Sequence, residues 1–216
     1  MTNTGFDGVC DPTHGSRFGE RAMSRAGVLR RAALLGGGAV AAAGGATALA
    51  RDAESAASAA RDARILNYVL RLEELKAAFY RRAVERGALT GELHQLARIL
   101  ARHEDAHVSL LRRRLGRRAE RARAYDFGEA TTNADTFAST ARTLEETAVA
   151  AYIGQGANLT RRLMVDFAQL CSVEARHAAW IADLLHRSPA PRAADKAKTP
   201  RDVVAVIEGT GFEAAT

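Results

Sequence analysis

The sequence predicts an all-α fold, an antiparallel four-helix bundle with a long crossover between its second and third helices. Four amphipathic stretches lie between residues 62 and 188, and their apolar residues recur every three to four positions, as on one face of a helix. A short break separates the first stretch from the second, and another separates the third from the fourth. The much longer segment 116–132 separates the second stretch from the third. A connection this long is unusual in a compact bundle, and fully extended it reaches roughly 55 Å, enough to run the length of one.

The composition suits one globular domain with extensions. The chain has 216 residues, 47% of them hydrophobic and 26% charged, which is enough to bury a sizeable core. The net charge of +6 comes from arginines on polar helix faces, with no nucleic-acid motif beside them. We therefore expect a solvated basic surface and no nucleic-acid partner. Cys171 lies on an apolar face and is expected to be a core thiol.

Residues 1–50 are interpreted as a targeting segment. Arg30-Arg31 precedes an uncharged, Ala- and Gly-rich run that ends in Ala48-Leu49-Ala50. This order resembles a twin-arginine export signal with a small-residue cleavage site, so the mature chain would begin near Arg51 in a periplasmic or extracytoplasmic compartment. The alternatives are an unprocessed tail or a retained anchor, for which the run is poorly hydrophobic. We expect contact with the membrane only through this signal.

The first two helices, about 62–86 and from the end of a turn at 87–91 to about 115, begin the bundle domain, which we place at residues 51–188. Glu73 lies in the apolar stripe of the first helix, whereas its neighbour Glu74 falls on the polar side and is expected to be exposed. In the second helix Glu104 and His107 lie three apart within the apolar stripe. His103 lies at the flank of that stripe and is interpreted as a packed or outer histidine, with a ligand role as the alternative.

The next two helices repeat this arrangement. The third helix, about 134–154, has Glu145 on its apolar face and Glu146 on its polar face. The fourth begins after a cap at Asn158 or Thr160 and carries Glu174 and His177 inward before ending ahead of Pro189. Residues 189–216 form a C-terminal tail, in which Thr199-Pro200 predicts a short helix over 201–208.

The inward polar residues form two matching halves. The first half holds Glu73, Tyr80 and Glu104-x-x-His107, and the second holds the same residue types at offsets of 72 and 70. In each half the midpoint between the lone Glu and the Glu-x-x-His pair falls in the interhelical turn. Residues equidistant from the turn of an antiparallel hairpin lie at one level, so all six predicted ligands meet there. They are Glu73, Glu104, His107, Glu145, Glu174 and His177.

Four buried carboxylates repel one another and take up protons unless cations lie among them. A Glu from each of two helices plus a Glu-x-x-His motif from the other two is a known ligand set for two iron or manganese ions in helix bundles. Oxygen and nitrogen ligands suit these metals, so we expect two metal ions, iron ahead of manganese. The alternative is a buried network paired with Arg, which is disfavoured because the inward faces offer no Arg or Lys at this level.

Four segments carry a resemblance to a known family: 72–80, 104–107, 144–152 and 173–179. They resemble the ferritin-like superfamily, and most closely the bacterial ferritin-like domain proteins related to plant desiccation-related proteins, over about residues 62–212. The resemblance implies that Glu104 and Glu174 bridge two metals, that His107 and His177 each hold one, and that Glu73 and Glu145 are outer ligands. Three departures, Lys76, Ala148 and Ala194, are expected to leave the ligands untouched.

The resemblance implies oxidation of Fe(II) with dioxygen or peroxide, or peroxide disposal. Fold alone does not choose among the activities of the superfamily. A non-catalytic stress protein with a structural metal site and a manganese catalase-like enzyme are therefore the alternatives. Tyr80 and Tyr152 are interpreted either as partners of the site, by hydrogen bonding or electron transfer, or as core residues. A homo-oligomer is compatible with the superfamily, although the sequence encodes no recognisable subunit contact.

Overall fold

The computed structural model describes residues 40–213, with side chains from residue 54 onward. Most of the predicted export segment, including Arg30-Arg31, lies outside the described residues. The chain divides into two units, 1–49 and 50–216, and the bundle lies in the second. Of the helices that are described, none is long and apolar enough to cross a bilayer.

The described residues form five helices and confirm the all-α class. They are α1 (Val40–Arg86), α2 (Gly91–Leu115), α3 (Ala134–Gly156), α4 (Arg161–Leu184) and α5 (Pro200–Gly209). The start of the first helix was predicted wrongly, since α1 begins at Val40 and not near Asp62. The added stretch is rich in Ala, the strongest helix former, and needs no apolar stripe to be helical.

Three helix starts are satisfied by side chains. Asn133 accepts a hydrogen bond from the backbone N–H of Thr136 at the start of α3, and Thr199 caps α5 in the same way. Thr160 precedes α4 as predicted, but its hydroxyl does not cap its own helix. Instead the backbone N–H of Thr160 donates to Asp62 Oδ1 at 2.9 Å. A residue of α1 therefore satisfies the N-terminus of α4 and ties the two helices together.

Two apolar clusters set the directions of the four long helices. One cluster contains Leu96 near the start of α2 and Ile181 near the end of α4. The other contains Leu111 near the end of α2 and Leu163 near the start of α4. The helices α2 and α4 thus run in opposite directions, and the position of Glu104 and Glu174 between the clusters makes a polar layer between two apolar ones.

The crossover between α2 and α3 connects the two ends of the bundle. It starts beside the cluster that contains Leu115. Phe127, near its end, and Phe137, in the first turn of α3, lie in the other cluster. The helices α2 and α3 consequently run in the same direction, which a short turn could not achieve. Two 3₁₀ turns, Gly116–Arg118 and Gly128–Thr131, lie along it. A single bridge between Tyr125 and Glu213 attaches the C-terminal tail to it.

The environment of Glu74 corrects the prediction that this residue is exposed. Its side chain is only 9% exposed and pairs with Arg112 of α2. The backbone of Glu120, in the crossover, also contacts Arg112 and Asn67. The polar face of α1 is therefore covered by a distant segment of chain, which the helical period alone does not reveal.

Candidate metal centre

The structure brings all six predicted ligands into the polar layer between the apolar clusters. The four Glu side chains are fully buried, and the two His residues are 6% and 4% exposed. Each of the four long helices contributes at least one. They are Glu73 from α1, Glu104 and His107 from α2, Glu145 from α3, and Glu174 and His177 from α4.

These side chains form two overlapping groups, and in each group the ligand atoms lie within 4.8 Å of one another. The first group is Glu73, Glu104, His107 and Glu174; the second is Glu104, Glu145, Glu174 and His177. Glu104 and Glu174 belong to both groups. Each group thus offers three carboxylates and one imidazole at distances that one cation can span.

Lys76 lies at the centre of the carboxylates, which corrects two expectations from the sequence. Its side chain is 1% exposed, and its Nζ lies 3.0 Å from Glu73 Oε2, 3.0 Å from Glu104 Oε2 and 3.3 Å from Glu145 Oε2. It also contacts Glu174 Oε2. A basic residue is therefore present at the level of the ligands, and the departure at position 76 touches four of them.

The residue type of Lys76, and not its position in the helix, is what hides this contact in the sequence. Lys76 follows Glu73 by three residues and lies on the same helical face, between Glu73 and Tyr80. Its long stem usually carries the ammonium out to water. Here the stem is buried among apolar side chains and the ammonium finds carboxylates instead, so the spacing from Glu73 was the signal that could have revealed it.

Both tyrosines hydrogen-bond the outer carboxylates of the opposite half. Tyr80 of α1 donates to Glu145 Oε1 at 2.6 Å, and Tyr152 of α3 donates to Glu73 Oε1 at 2.8 Å. The hydroxyls are fully buried. Because each tyrosine lies two turns from the Glu of its own helix, this exchange requires α1 and α3 to be antiparallel. The tyrosines are thus partners of the site as well as core residues.

His103 lies outside both groups and contacts His177. Its Nδ1 is 2.9 Å from His177 Nε2, while Nδ1 of His177 faces Glu104 Oε1 at 3.1 Å. This is the outer position predicted for it, and such a partner fixes the orientation of a ligating imidazole. A groove of about 410 Å³ opens over the three histidines, with Arg176 and Trp180 also lining it.

Comparison with known families agrees with this arrangement. The family model of the ferritin-like domain matches residues 61–187, which cover the four long helices from the bundle part of α1 to the end of α4. The chain belongs to the ferritin-like domain family. No curated protein matches it.

The electrostatics of the ferritin-like centre separate its carboxyls into two kinds. Burial acts to raise the pKa of each. For Glu73 the Lys76 ammonium and a hydrogen bond from His107 outweigh burial and hold the pKa well below its usual value. For Glu145 burial is likewise outweighed by Lys76 and His177, which lower the pKa to about 2.

The two shared carboxyls behave in the opposite way. Burial and the neighbouring charges of Glu104 and Glu73 raise the pKa of Glu174 well above its usual value, although Lys76 contacts it. Burial and the charges of Glu145 and Glu73 also raise the pKa of Glu104, against the lowering effect of Lys76. The central carboxyls therefore hold protons more tightly than the outer ones.

The cationic groups are held in their charged forms. Burial opposes the charge on Lys76, but the four carboxylates raise its pKa well above the usual value. Burial also opposes the charge on the histidines. Hydrogen bonds to carboxylates nevertheless raise the pKa of His107 to about 12 and that of His177 to about 9. Metal binding to either imidazole must displace a proton.

The residues of the ferritin-like centre fit a metal by the chemistry of their donors. Four buried ligand atoms, Glu73 Oε2, Glu104 Oε1, Glu174 Oε1 and His177 Nδ1, have a charged neighbour at 2.9–3.1 Å but no hydrogen bond of good geometry. Buried polar atoms of this kind are rare without a partner. Carboxylate oxygens and imidazole nitrogens are ligands for iron and manganese, so both the poor hydrogen bonding of these atoms and the donor set favour a bound metal.

Proposed function

We propose that this ferritin-like protein binds iron, or alternatively manganese, in the carboxylate–histidine centre and oxidises Fe(II) with dioxygen or peroxide, or removes peroxide. The observation that carries the proposal is the pair of overlapping ligand groups, buried between two apolar clusters. A buried carboxylate is costly unless it is paired or bound to a metal. Four of them at one level, with an imidazole on each side, are arranged for cation binding.

The residues have distinct proposed roles. Glu104 and Glu174 belong to both groups and would bridge, whereas His107 and His177 would each hold a metal on one side. Glu73 and Glu145 would be the outer ligands, each held in place by the tyrosine hydroxyl of the opposite half. Because a tyrosine at this position also lies within reach of the site, it is the natural electron donor if a radical step occurs.

A bound redox metal would supply electron transfer to dioxygen or peroxide, as in Fe(II) oxidation by peroxide, where two Fe(II), one H₂O₂ and two protons give two Fe(III) and two waters. The groove above His103, His107 and His177 gives small solutes a route to the centre. Glu104 and Glu174 hold protons more tightly than the outer carboxyls in the metal-free protein, and they would release them on becoming ligands. The apolar clusters on both sides exclude bulk water.

The test is stopped-flow oxidation of Fe(II) added anaerobically and mixed with dioxygen or peroxide. Glu145 and Glu146 are adjacent, but Glu145 is buried in the centre and Glu146 is half-exposed and paired with Arg142. We expect Glu145→Gln to lose bound metal and at least ten-fold in oxidation rate, whereas Glu146→Gln should match wild type. Equal rates in all three proteins would overturn the proposal.

We further propose that the protein is exported through Arg30-Arg31. The support is the order of the sequence: a basic pair, an uncharged run and a small-residue site. Replacing both arginines by lysine should leave the precursor in the cytoplasm, while the wild-type mature chain should begin near Arg51. Normal export of the double variant would contradict this route.

A second candidate function is favoured by the contacts of Lys76. An ammonium paired with four carboxylates holds four helices together without chemistry, as in a non-catalytic stress protein related to desiccation-related proteins, with any metal serving only structure. Such a protein would show no turnover of Fe(II) beyond the bound metal. A manganese catalase-like enzyme is distinguished by metal analysis of protein produced with both metals present.

A further inference from the structure

Lys76 contacts three of the four members of each candidate metal group. In the first group it contacts Glu73, Glu104 and Glu174; in the second it contacts Glu104, Glu145 and Glu174. Only the two histidines are free of it. All four contacts are to Oε2 atoms, so a metal ion in either group would have to share three carboxylates with the ammonium and would lie beside its positive charge.

Lys76 also has little space to move away. Its side chain is 1% exposed, and Leu72, Phe79 and Tyr80, which lie three or four residues away on the same face, are buried as well. Moving the ammonium out of the carboxylates would place a charge among apolar side chains, which is strongly unfavourable. The ammonium is consequently a fixed member of the centre and not a surface group that happens to fold inward.

We propose that the Lys76 ammonium takes the place of one of the two metal ions expected for this family, so that the centre binds a single divalent ion. This inference rests on the proposed metal-binding function and changes its stoichiometry. If two ions were bound, Glu104 and Glu174 would have to bind both of them and the ammonium as well. If one ion is bound, these carboxylates are shared only between that ion and the ammonium, and the ion has an imidazole that the ammonium does not contact.

The orientation of the imidazoles selects the half that keeps its ion, because the ammonium touches both halves. It lies 3.0 Å from Glu73 on its own helix and donates a hydrogen bond to Glu145 of the second group at 3.3 Å. The imidazole of the second group, His177, is oriented by His103. The single ion is therefore assigned to Glu104, Glu145, Glu174 and His177.

The first measurement is the number of Mn(II) ions bound by the full chain, determined by equilibrium dialysis followed by elemental analysis. Manganese is used because it stays divalent in air. Wild type should bind one ion per chain, and Lys76→Met, which keeps the length of the side chain and removes the charge, should bind two. Lys196 is exposed in the tail, so Lys196→Met is the matched control and should bind one. Purifying all proteins with Mn(II) present avoids any need for a folded metal-free variant.

Each outcome separates the inference from the proposed function. Two ions in wild type, or one in Lys76→Met, overturn the inference and leave metal binding intact. No Mn(II) in either protein overturns both. The assignment to one half is tested separately, since His177→Gln should abolish Mn(II) binding in the Lys76-containing protein while His107→Gln should retain one ion. The reverse result would place the ion in the first group.

Stability without metal gives a readout that does not depend on binding. In EDTA the ammonium is the cation that holds the carboxylates together, so Lys76→Met should lower the melting temperature by roughly 10 °C, as expected when one partner of a buried ion pair is removed. Adding Glu174→Gln to that variant should recover part of the loss, because one of the repelling carboxylates is gone. A melting temperature of Lys76→Met equal to that of Lys196→Met would overturn the role of the ammonium.

Discussion

Glu73 and Glu174 are both fully buried, both contact Lys76, and yet should respond oppositely to the same substitution. The pKa of Glu73 is held well below its usual value, so its ionised form stabilises the fold. The pKa of Glu174 is raised by burial and by the charges of other carboxylates, so its ionised form is unfavourable in the metal-free protein. The difference is that Lys76 and a hydrogen bond from His107 outweigh burial at Glu73, whereas the charges of other carboxylates add to burial at Glu174.

We therefore expect Glu73→Gln to destabilise the metal-free protein by about 2 kcal/mol at pH 7, because an ion pair with Lys76 is lost. Glu174→Gln should be neutral or stabilise it by about 1 kcal/mol, because repulsion is relieved. Urea unfolding in EDTA measures both. Shifts of the same sign and similar size would show that Lys76 does not distinguish the two carboxylates.

The burial of a residue was predicted well where it follows from the face of its own helix. It was predicted poorly where other helices or the crossover cover the residue. The helical period placed Glu73 inward and Glu146 outward, as observed. It failed for Glu74, because Arg112 of another helix and the crossover cover that side. It failed for Lys76 because a residue type that normally reaches solvent has buried partners on three other helices.

At the scale of elements, the C-terminal tail approaches α3 closely at Gly154. The backbone N–H of Lys198 donates to the carbonyl of Ala150 at 3.1 Å. A Cβ atom added at Gly154 would lie 2.2 Å from the carbonyl oxygen of Lys198, a distance that neither backbone can accept without moving. The absence of a side chain at Gly154 is therefore what lets the tail lie against α3 before α5 begins.

Gly154→Ala should destabilise the protein by about 1–3 kcal/mol, the usual range for overpacking, and should make the segment 189–199 easier to cleave. Gly156, two residues on in the same helix, is the control, since a Cβ there meets only Phe167 at an ordinary 3.9 Å. Limited proteolysis and urea unfolding report the two effects. A Gly154→Ala protein as resistant and as stable as Gly156→Ala would mean that the tail does not depend on this contact.

The bounds of the elements show where sequence reasoning ends. The starts of α2 and α5 were predicted to within about one residue, because the turn at 87–91 and Thr199-Pro200 are local signals. The cap of α4 comes from Asp62 of α1, about 100 residues earlier in the chain. Such a partner leaves no sequence signal near the helix that it caps. The residue at which α4 starts could therefore be predicted, but the residue that satisfies its N-terminus could not.

At the scale of the whole molecule, the pH has opposite effects on two properties of the centre. As the pH rises, the metal-free fold loses stability while metal binding becomes stronger. An exposed histidine has a pKa of about 6.5, whereas carboxylates raise that of His177 to about 9 and that of His107 to about 12. A raised pKa in the folded state gives stability that is complete below about pH 6.5 and is lost as the pH rises toward the folded value. Metal binding needs the neutral imidazole and so improves over the same interval.

The metal-free protein should thus lose stability between pH 6.5 and 9, by at most about 3 kcal/mol for each histidine. On the acid side Glu145, with its pKa lowered to about 2, gives stability that is present above about pH 4.3 and is lost as the pH falls toward 2. The metal-free optimum should therefore lie near pH 5–6. With Mn(II) in excess the melting temperature should instead be maintained or rise toward pH 9, because tighter binding adds to the free energy of unfolding by mass action.

Melting temperatures at pH 6 and 9, each in EDTA and in Mn(II), test this crossing. The variant His177→Gln lacks one of the two titrating imidazoles, so its metal-free stability should fall about half as steeply with pH as that of wild type. It should also lose the stabilisation by Mn(II) at pH 9, because the imidazole that becomes a ligand there is gone. If metal-free wild type were more stable at pH 9 than at pH 6, the histidines would not be protonated among the carboxylates. The charge balance of the centre would then rest on Lys76 alone.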